Sequence, residues 1–230
     1  MDIILVPGLW LDADSWRDVT PVLEAAGHRP HPMTMPGTGG TQSDTRDIGM
    51  SDWVAAVTAE IDRLDAPVAL VGHSGGGNVA WAAAASRPES VSRVVFVDTV
   101  PPPPGGAVSE FDVVDGVVPF PGWETFDADD VADLDAPTRA RTAIEVRSVP
   151  ARVPTDPLTL DDPRRFGIPV TILSGGMDEV TFRAAIAHWG AYGDEFSKIS
   201  DSEVVRLGTG HWPQFSQPVA LGVAIAAAVR

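Results

Sequence analysis

The stretch Ala66-Pro67-Val68-Ala69-Leu70-Val71-Gly72-His73-Ser74-Gly75-Gly76-Gly77-Asn78 constrains this chain more than any other. A short apolar run enters a cluster of glycines around one serine, and Val79-Ala80-Trp81-Ala82-Ala83-Ala84-Ala85 then reads as helix. Pro67 to Val71 is too short for a helix and fits a buried parallel strand. A G-x-S-x-G sequence in that strand-to-helix context forces a tight turn that pushes the serine hydroxyl into the open. The flanking glycines let neighbouring backbone come close to a turn of unusual conformation. Ser74 is therefore the candidate nucleophile.

Around this point strand and helix signals alternate. Asp2 to Val6 reads as a strand, and Asp14 or Ser15 as the cap of a helix carrying Trp16, Val19, Leu23 and Ala26 and stopped by Gly27. A weaker, proline-marked strand spans Arg29 to Met35. Ser51 or Asp52 caps a helix whose Trp53, Val57, Ile61 and Leu64 form one apolar stripe. Helix follows the serine from Asn78 to Ser86, and Val91 to Val97 is the next strand. Val170–Leu173 and Val204–Leu207 are two more, each leading into a helix, Val180 to Trp189 and Gln217 to Val229. Repeated strand–helix–strand units predict an α/β fold: a mostly parallel, doubly wound sheet with helices on both faces.

One segment breaks the rhythm. Residues 99–167 are rich in proline and acid, opening with Pro101-Pro102-Pro103-Pro104-Gly105-Gly106. A loop of that length in a compact domain is a lid or a surface excursion, and Phe120, Trp123 and Phe126 give this one something to bury. The expected division is a core of residues 1–98 and 168–230 with a small cap, 99–167, over the site.

A serine hydroxyl is a weak nucleophile, so Ser74 needs a base and the base needs an acceptor that fixes its tautomer. Of five histidines, His28 and His31 fall in a polar connection, His188 within a helix and His73 in the serine turn. His211 lies in Gly208-Thr209-Gly210-His211-Trp212-Pro213, directly after the last strand, and in a parallel sheet that loop emerges on the same edge as Ser74. Asp178, in Gly175-Gly176-Met177-Asp178-Glu179 after the preceding strand, is the expected acid; Asp98, at the end of the Val91–Val97 strand, and Glu179 are the alternatives. The order Ser74, Asp178, His211 is the one expected of such a serine turn. An oxyanion needs main-chain N–H donors, which Gly75 and either Leu9 or Trp10, in the loop after the first strand, supply.

Composition removes other chemistries. With 230 residues, 44% of them hydrophobic, the chain suffices for one large core. A formal charge of −16 without a basic patch opposes nucleic acid or an anionic membrane as partner. The absence of cysteine removes thiol catalysis and thiolate metal sites, and a single lysine, Lys198 in a polar stretch read as loop, discounts Schiff-base chemistry. The first strand begins almost at Met1, and the apolar run Val219–Val229 is too short to span a membrane, so a soluble cytoplasmic protein is expected.

With these loops converging, the chain resembles the α/β-hydrolase superfamily over nearly its whole length. Gly72-His73-Ser74-Gly75-Gly76 matches the nucleophile elbow, Gly175-Gly176-Met177-Asp178 the acid loop and Gly210-His211 the histidine loop. Leu5-Val6-Pro7-Gly8-Leu9-Trp10, with Trp16, Leu23-Glu24-Ala25-Ala26-Gly27-His28 and Pro36-Gly37, is similar to the small, short-capped branch of plant methyl-esterases and hydroxynitrile lyases. It departs at Pro7, where the family usually has a histidine, and at Thr34, where an aspartate often stands. Trp212 occupies the place of the lysine that the family's lyases carry after the histidine, which disfavours cyanohydrin cleavage.

The expectation is thus a serine hydrolase without cofactor or metal, acting on a small-molecule ester or lactone through an acyl-enzyme. Ser74, His211 and Asp178 are its triad, Leu9 and Gly75 its oxyanion donors, and Trp10, Phe120, Trp123 and Trp212 its pocket. The alternatives are C–C or C–N bond cleavage by the same residues, or a small-molecule receptor on the same scaffold.

Overall fold

Residues two apart share a face of a strand, and the apolar residues of this chain divide accordingly. In the computed structural model, which describes Met1 to Arg230, the strands are β1 (Asp2–Val6), β2 (Arg29–Pro32), β3 (Val68–His73), β4 (Val91–Val97), β5 (Val117–Val118), β6 (Val149–Pro150), β7 (Val170–Ser174) and β8 (Ser202–Arg206). The α-helices are α1 (Thr20–Ala25), α2 (Gln42–Thr45), α3 (Met50–Arg63), α4 (Gly75–Ser86), α5 (Ala136–Glu145), α6 (Glu179–Ile186), α7 (Ala191–Phe196), α8 (Pro213–Ser216) and α9 (Pro218–Ala228). Six strands form one parallel sheet in the order β2-β1-β3-β4-β7-β8, and β5 and β6 make a separate antiparallel pair. Ile4, Val6, Leu70, Val94, Phe96 and Ile172 pack with Trp53, Trp81 and Phe182 of α3, α4 and α6. The alternate residues Ile3, Leu5, Val71, Val95, Val97 and Leu173 pack on the other face with Trp16, Leu23, Leu221 and Ile225. Two buried faces explain why the strands read as continuous apolar runs.

The sheet register sets the site. Val6 pairs with Gly72, His73 with Val97, Val97 with Leu173 and Ser174 with Arg206, so the strands finish together. The loops that follow β1, β3, β4, β7 and β8 all leave from one edge, as the strand order of an open α/β sheet requires. No helix is long and apolar enough to cross a membrane.

Element starts differ from the expectations at the caps. The first helical region is two pieces: a 3-10 turn, Ala13–Trp16, capped by Asp12 rather than Asp14 or Ser15, and α1, which begins at Thr20 with Pro21 in its first turn. Proline fits there because it has no N–H to leave unpaired. Gly49, not Ser51 or Asp52, caps α3; Asp52 instead reaches back from the third helical position to accept from the Gly49 N–H at 2.8 Å. The second strand stops at Pro32, and α4 begins at Gly75, immediately after the serine. The polar stretch around Lys198 is not all loop, since Glu195 and Phe196 complete α7.

Between β4 and β7 run β5, a 3-10 turn at Trp123–Thr125, α5, β6 and a second 3-10 turn at Pro163–Gly167. Two devices bind this segment to the sheet. Aromatic edges meet where Trp10 touches Phe111, Phe120 and Phe126 at 4.8, 5.8 and 5.9 Å between ring centres, and Trp212 touches Trp123 and Phe126 at 5.0 and 4.7 Å. At its far end a buried ion pair joins Arg165 to Glu195 at 2.7 Å, with the Trp81 indole N–H donating to the same carboxylate at 3.0 Å. Each charge there is hydrogen-bonded as well as paired, the condition under which a buried ion pair is tolerated.

Candidate active site

Ser74 stands between β3 and α4 with φ 51° and ψ −128°, in the positive-φ region that side chains rarely adopt. The turn is held by close packing. A Cβ on Gly76 would lie 2.4 Å from the Pro7 carbonyl oxygen and 2.6 Å from that of Val6, and one on Gly72 would lie 2.6 Å from the Gly76 carbonyl oxygen. Only glycine at both flanks of the motif lets α4 start this close to β1 and β3. Three further residues other than glycine have positive φ: Trp10 (64°), Asp98 (46°) and Asp115 (49°). Two of them, Trp10 and Asp98, lie on the same sheet edge as Ser74.

His211 joins this edge as expected, but its acceptor is not the expected one. Its Nδ1 donates to Asp98 Oδ2 at 2.7 Å, while Asp98 Oδ1 accepts from the Gly175 N–H at 2.8 Å. Burial alone would raise the Asp98 pKa; the hydrogen bond and charge of His211, with the Gly175 N–H, outweigh it and hold the carboxyl below its ordinary range. Asp178 is a correction to the sequence reading. It is the N-cap of α6, its Oδ1 accepting from the Thr181 N–H at 2.9 Å, and Glu179 pairs with Arg183 along the same helix at 2.9 Å. The physical reason is local. Asp98 follows the last residue of β4 directly, whereas three residues separate Asp178 from the end of β7, enough chain for an aspartate to take the cap position it favours. The signal was present in the sequence, where Asp178 immediately precedes a helical pattern.

The His211 main chain is gripped as well. Its N–H donates to the Asp130 carbonyl at 2.8 Å, and the preceding Gly210 N–H donates to Asp133 Oδ2 at 2.9 Å, so the inserted segment holds the histidine loop from above. Its carbonyl accepts from His73 Nε2 at 2.7 Å, and the other His73 nitrogen, Nδ1, accepts from the Gln214 amide at 3.2 Å. Sequence reasoning passed over His73 and Gln214 because neither spacing nor residue type marks a ring that bonds two loops at once. The Ser74 hydroxyl makes no hydrogen bond to His211 in this resting arrangement, in which catalytic contacts are commonly long. The main-chain N–H groups of Leu9 and Gly75 find no acceptor within the protein, as holds for the first N–H of any helix in the case of Gly75.

Of the four expected pocket residues, three are buried in an aromatic cluster. Trp10, Trp123 and Trp212 are 5%, 7% and 3% exposed and serve as the aromatic joint between inserted segment and core. Phe120 lines an open cleft of about 670 Å³ bounded also by Phe111, Val114 and Pro121. A second cavity of about 450 Å³ lies against Asp98, with Asp129, Asp130, Met177, Phe182 and Trp189 among its walls. No three His, Asp or Glu side chains come close enough together to hold a metal ion.

A doubly wound parallel sheet carrying a strained serine turn and a His–Asp pair on one edge defines the class, an α/β fold organised around a serine at a strand-to-helix elbow. The chain belongs to the alpha/beta hydrolase family, whose model matches residues 3–224. Among curated relatives, the rice (Oryza sativa subsp. japonica) esterase PIR7B is 36% identical over 107 residues, 43% of this chain and 38% of that protein. A pyrethroid hydrolase of Sphingobium wenxiniae is 30% identical over 106 residues, 45% of this chain and 38% of that protein. The chain thus spans under two fifths of the length of these relatives. An extracellular α/β-hydrolase from a Paenibacillus species superimposes with a TM-score of 0.79 at 18% identity, covering 100% of this chain and 99% of the other. The Arabidopsis methylesterase MES16 does so at 0.74 and 18%, covering 100% and 98%. At such identity the likeness establishes the fold.

Proposed function

We propose that the protein is a cofactor-independent serine hydrolase that cleaves a small carboxylic ester, or a lactone, through an acyl-enzyme, with Ser74, His211 and Asp98 as its triad. The observation that carries this reading is the 2.7 Å bond from His211 Nδ1 to Asp98, which fixes the tautomer that leaves Nε2 as the basic nitrogen. His211 takes the Ser74 proton as the oxygen attacks the ester carbonyl, and the N–H groups of Leu9 and Gly75 stabilise the oxyanion. Collapse of that intermediate expels the alkoxide, which takes the proton from His211; water, deprotonated by His211, then releases the acid and restores the serine. Ionised Asp98 stabilises the imidazolium formed in both halves. The names of the relatives, an esterase and a pyrethroid hydrolase, support ester cleavage.

Trp212 supports hydrolysis over cyanohydrin cleavage. Where the resembling lyases place a lysine, this indole is buried against Trp123 and Phe126, with its ring centre 4.7 Å from that of His211 and the two planes nearly perpendicular, offering no cation to a leaving cyanide. The test is Ser74→Ala. Labelling of the wild type by a fluorophosphonate, with turnover of short-chain nitrophenyl esters that falls by about 10⁶-fold in kcat in the variant, is expected. Unchanged turnover in a folded Ser74→Ala variant, or serine-dependent cyanide release from acetone cyanohydrin at a rate matching the best ester, overturns the reading.

A further inference from the structure

His73 immediately precedes Ser74 and is 1% exposed, yet it is the most connected ring in the site. A carbonyl oxygen can only accept, so the 2.7 Å contact to the His211 carbonyl requires the proton on His73 Nε2. The Nδ1 lone pair then accepts from the Gln214 amide at 3.2 Å. Gln214 lies three residues beyond His211, in α8, so one loop grips this ring at both nitrogens. The third side of the ring faces the loop after β1, since a Cβ on Gly8 would fall 2.7 Å from Nδ1 and 3.2 Å from the Ser74 Cβ. Burial, then the neighbouring His211, holds the His73 pKa near 3, so the ring stays neutral and its single tautomer persists.

We propose that His73, oriented by Gln214, is the positioning residue that sets the His211 main chain in register with the nucleophile. The inference rests on the triad reading above. Its physical content is that the base is tied by a hydrogen bond to the residue covalently next to the nucleophile, so a shift of one moves the other. Displacement of a catalytic group by about 1 Å costs on the order of 10²-fold in rate, whereas substrate binding does not pass through this contact.

The experiment compares His73→Leu, which removes the donor, with His73→Gln, whose amide nitrogen reaches the place of Nε2. Rates are expressed per serine titrated by a fluorophosphonate, and the His211 Nδ1 proton shared with Asp98 is followed by its downfield NMR resonance. We expect His73→Leu to lose about 10²-fold in kcat with KM unchanged and to lose or broaden that resonance, and His73→Gln to restore most of both. If His73→Leu fails to fold, Gln214→Leu, which frees the ring, is expected to lower kcat about 10-fold at constant KM. Wild-type kcat per titrated serine in His73→Leu, or in Gln214→Leu where His73→Leu does not fold, or a His73→Gln variant no better than His73→Leu, overturns the proposal and leaves packing as the role of the ring. The resonance separates the two readings: if the wild type shows no serine-dependent turnover, the triad fails, while loss of the resonance in His73→Leu still reports positioning.

Discussion

The loops after β4 and β7 leave the sheet side by side, each carries an aspartate, and the two aspartates have opposite fates. Asp98 sits at the strand end in a strained backbone and holds His211; Asp178, with φ −75°, caps a helix in solvent. What separates them is the length of chain between strand end and carboxylate. With none, the side chain is confined to the edge and must be satisfied there; with three residues, the cheaper solution of a helix cap is available. The β7 loop keeps a part in the site, since it donates the Gly175 N–H to the acid of its neighbour.

The strongest way to break this comparison is to exchange the amide for each acid. Asp98→Asn is expected to lower kcat by about 10⁴, because an amide there favours the wrong imidazole tautomer, while Asp178→Asn leaves kcat within a factor of two or so. Kinetics on both variants, each shown folded by thermal unfolding, decide it, and the reverse outcome would return the acid to the β7 loop. Gly175→Ala strikes the support rather than the acid. Its Cβ would lie 2.6 Å from the Thr209 carbonyl oxygen and 2.9 Å from Asp98 Oδ1, so one of the two must move. A loss of about 10-fold or more in kcat is expected, and an unaffected enzyme would show that the β7 loop is irrelevant to the acid.

Titration sharpens the contrast further. Both carboxyls are held below their ordinary range, Asp98 by His211 and the Gly175 N–H against its burial, Asp178 by the Thr181 N–H. A carboxyl lowered in the folded state contributes stability that is complete above its unfolded pKa and is lost as the pH falls through the folded value, so the Asp98–His211 contribution fades only in acid below the ordinary carboxylate range. In His211→Phe the counter-effect to burial disappears, and carboxyl ¹³C NMR is expected to show Asp98 titrating at higher pH than in the wild type, with Asp178 unmoved. The smallest effect is that of Asp178→Ala: a lowered Tm, by about 2–4 °C, with kcat retained, as the loss of a helix cap predicts.

Much of this architecture is legible in the sequence because it follows from strong, local signals. The short, continuous apolar runs of β1, β3, β4 and β7, alternating with helical patterns, give the sheet, and the Gly72–Gly76 motif in its strand-to-helix setting gives the elbow. His211 is legible because it alone among the histidines follows a terminal strand. The aspartate that holds His211 is not, since Ser74, Asp98, His211 and Ser74, Asp178, His211 obey the same chain order, and edge position cannot discriminate between adjacent strands. Trp10, Trp123 and Trp212 are harder to read for a related reason: composition shows that they are large and apolar, but whether an indole lines a cavity or fills a joint depends on partners distant in sequence, here Trp10 with Phe111 and Trp212 with Trp123.

The positive φ angles at Trp10, Ser74 and Asp98 have a consequence for how this chain tolerates change. A side chain held in such a conformation costs on the order of 1–3 kcal/mol, a sizeable share of a domain's total stability of about 5–15 kcal/mol. At Trp10 and Asp98 the packing and hydrogen bonds of the side chain offset that strain; at Ser74, where the side chain is small, Ser74→Gly is expected to combine a raised Tm with loss of activity. Under the proposed mechanism Ser74 is thus a position where activity and stability oppose each other, and the reserve that permits the strain lies in the sheet core beneath.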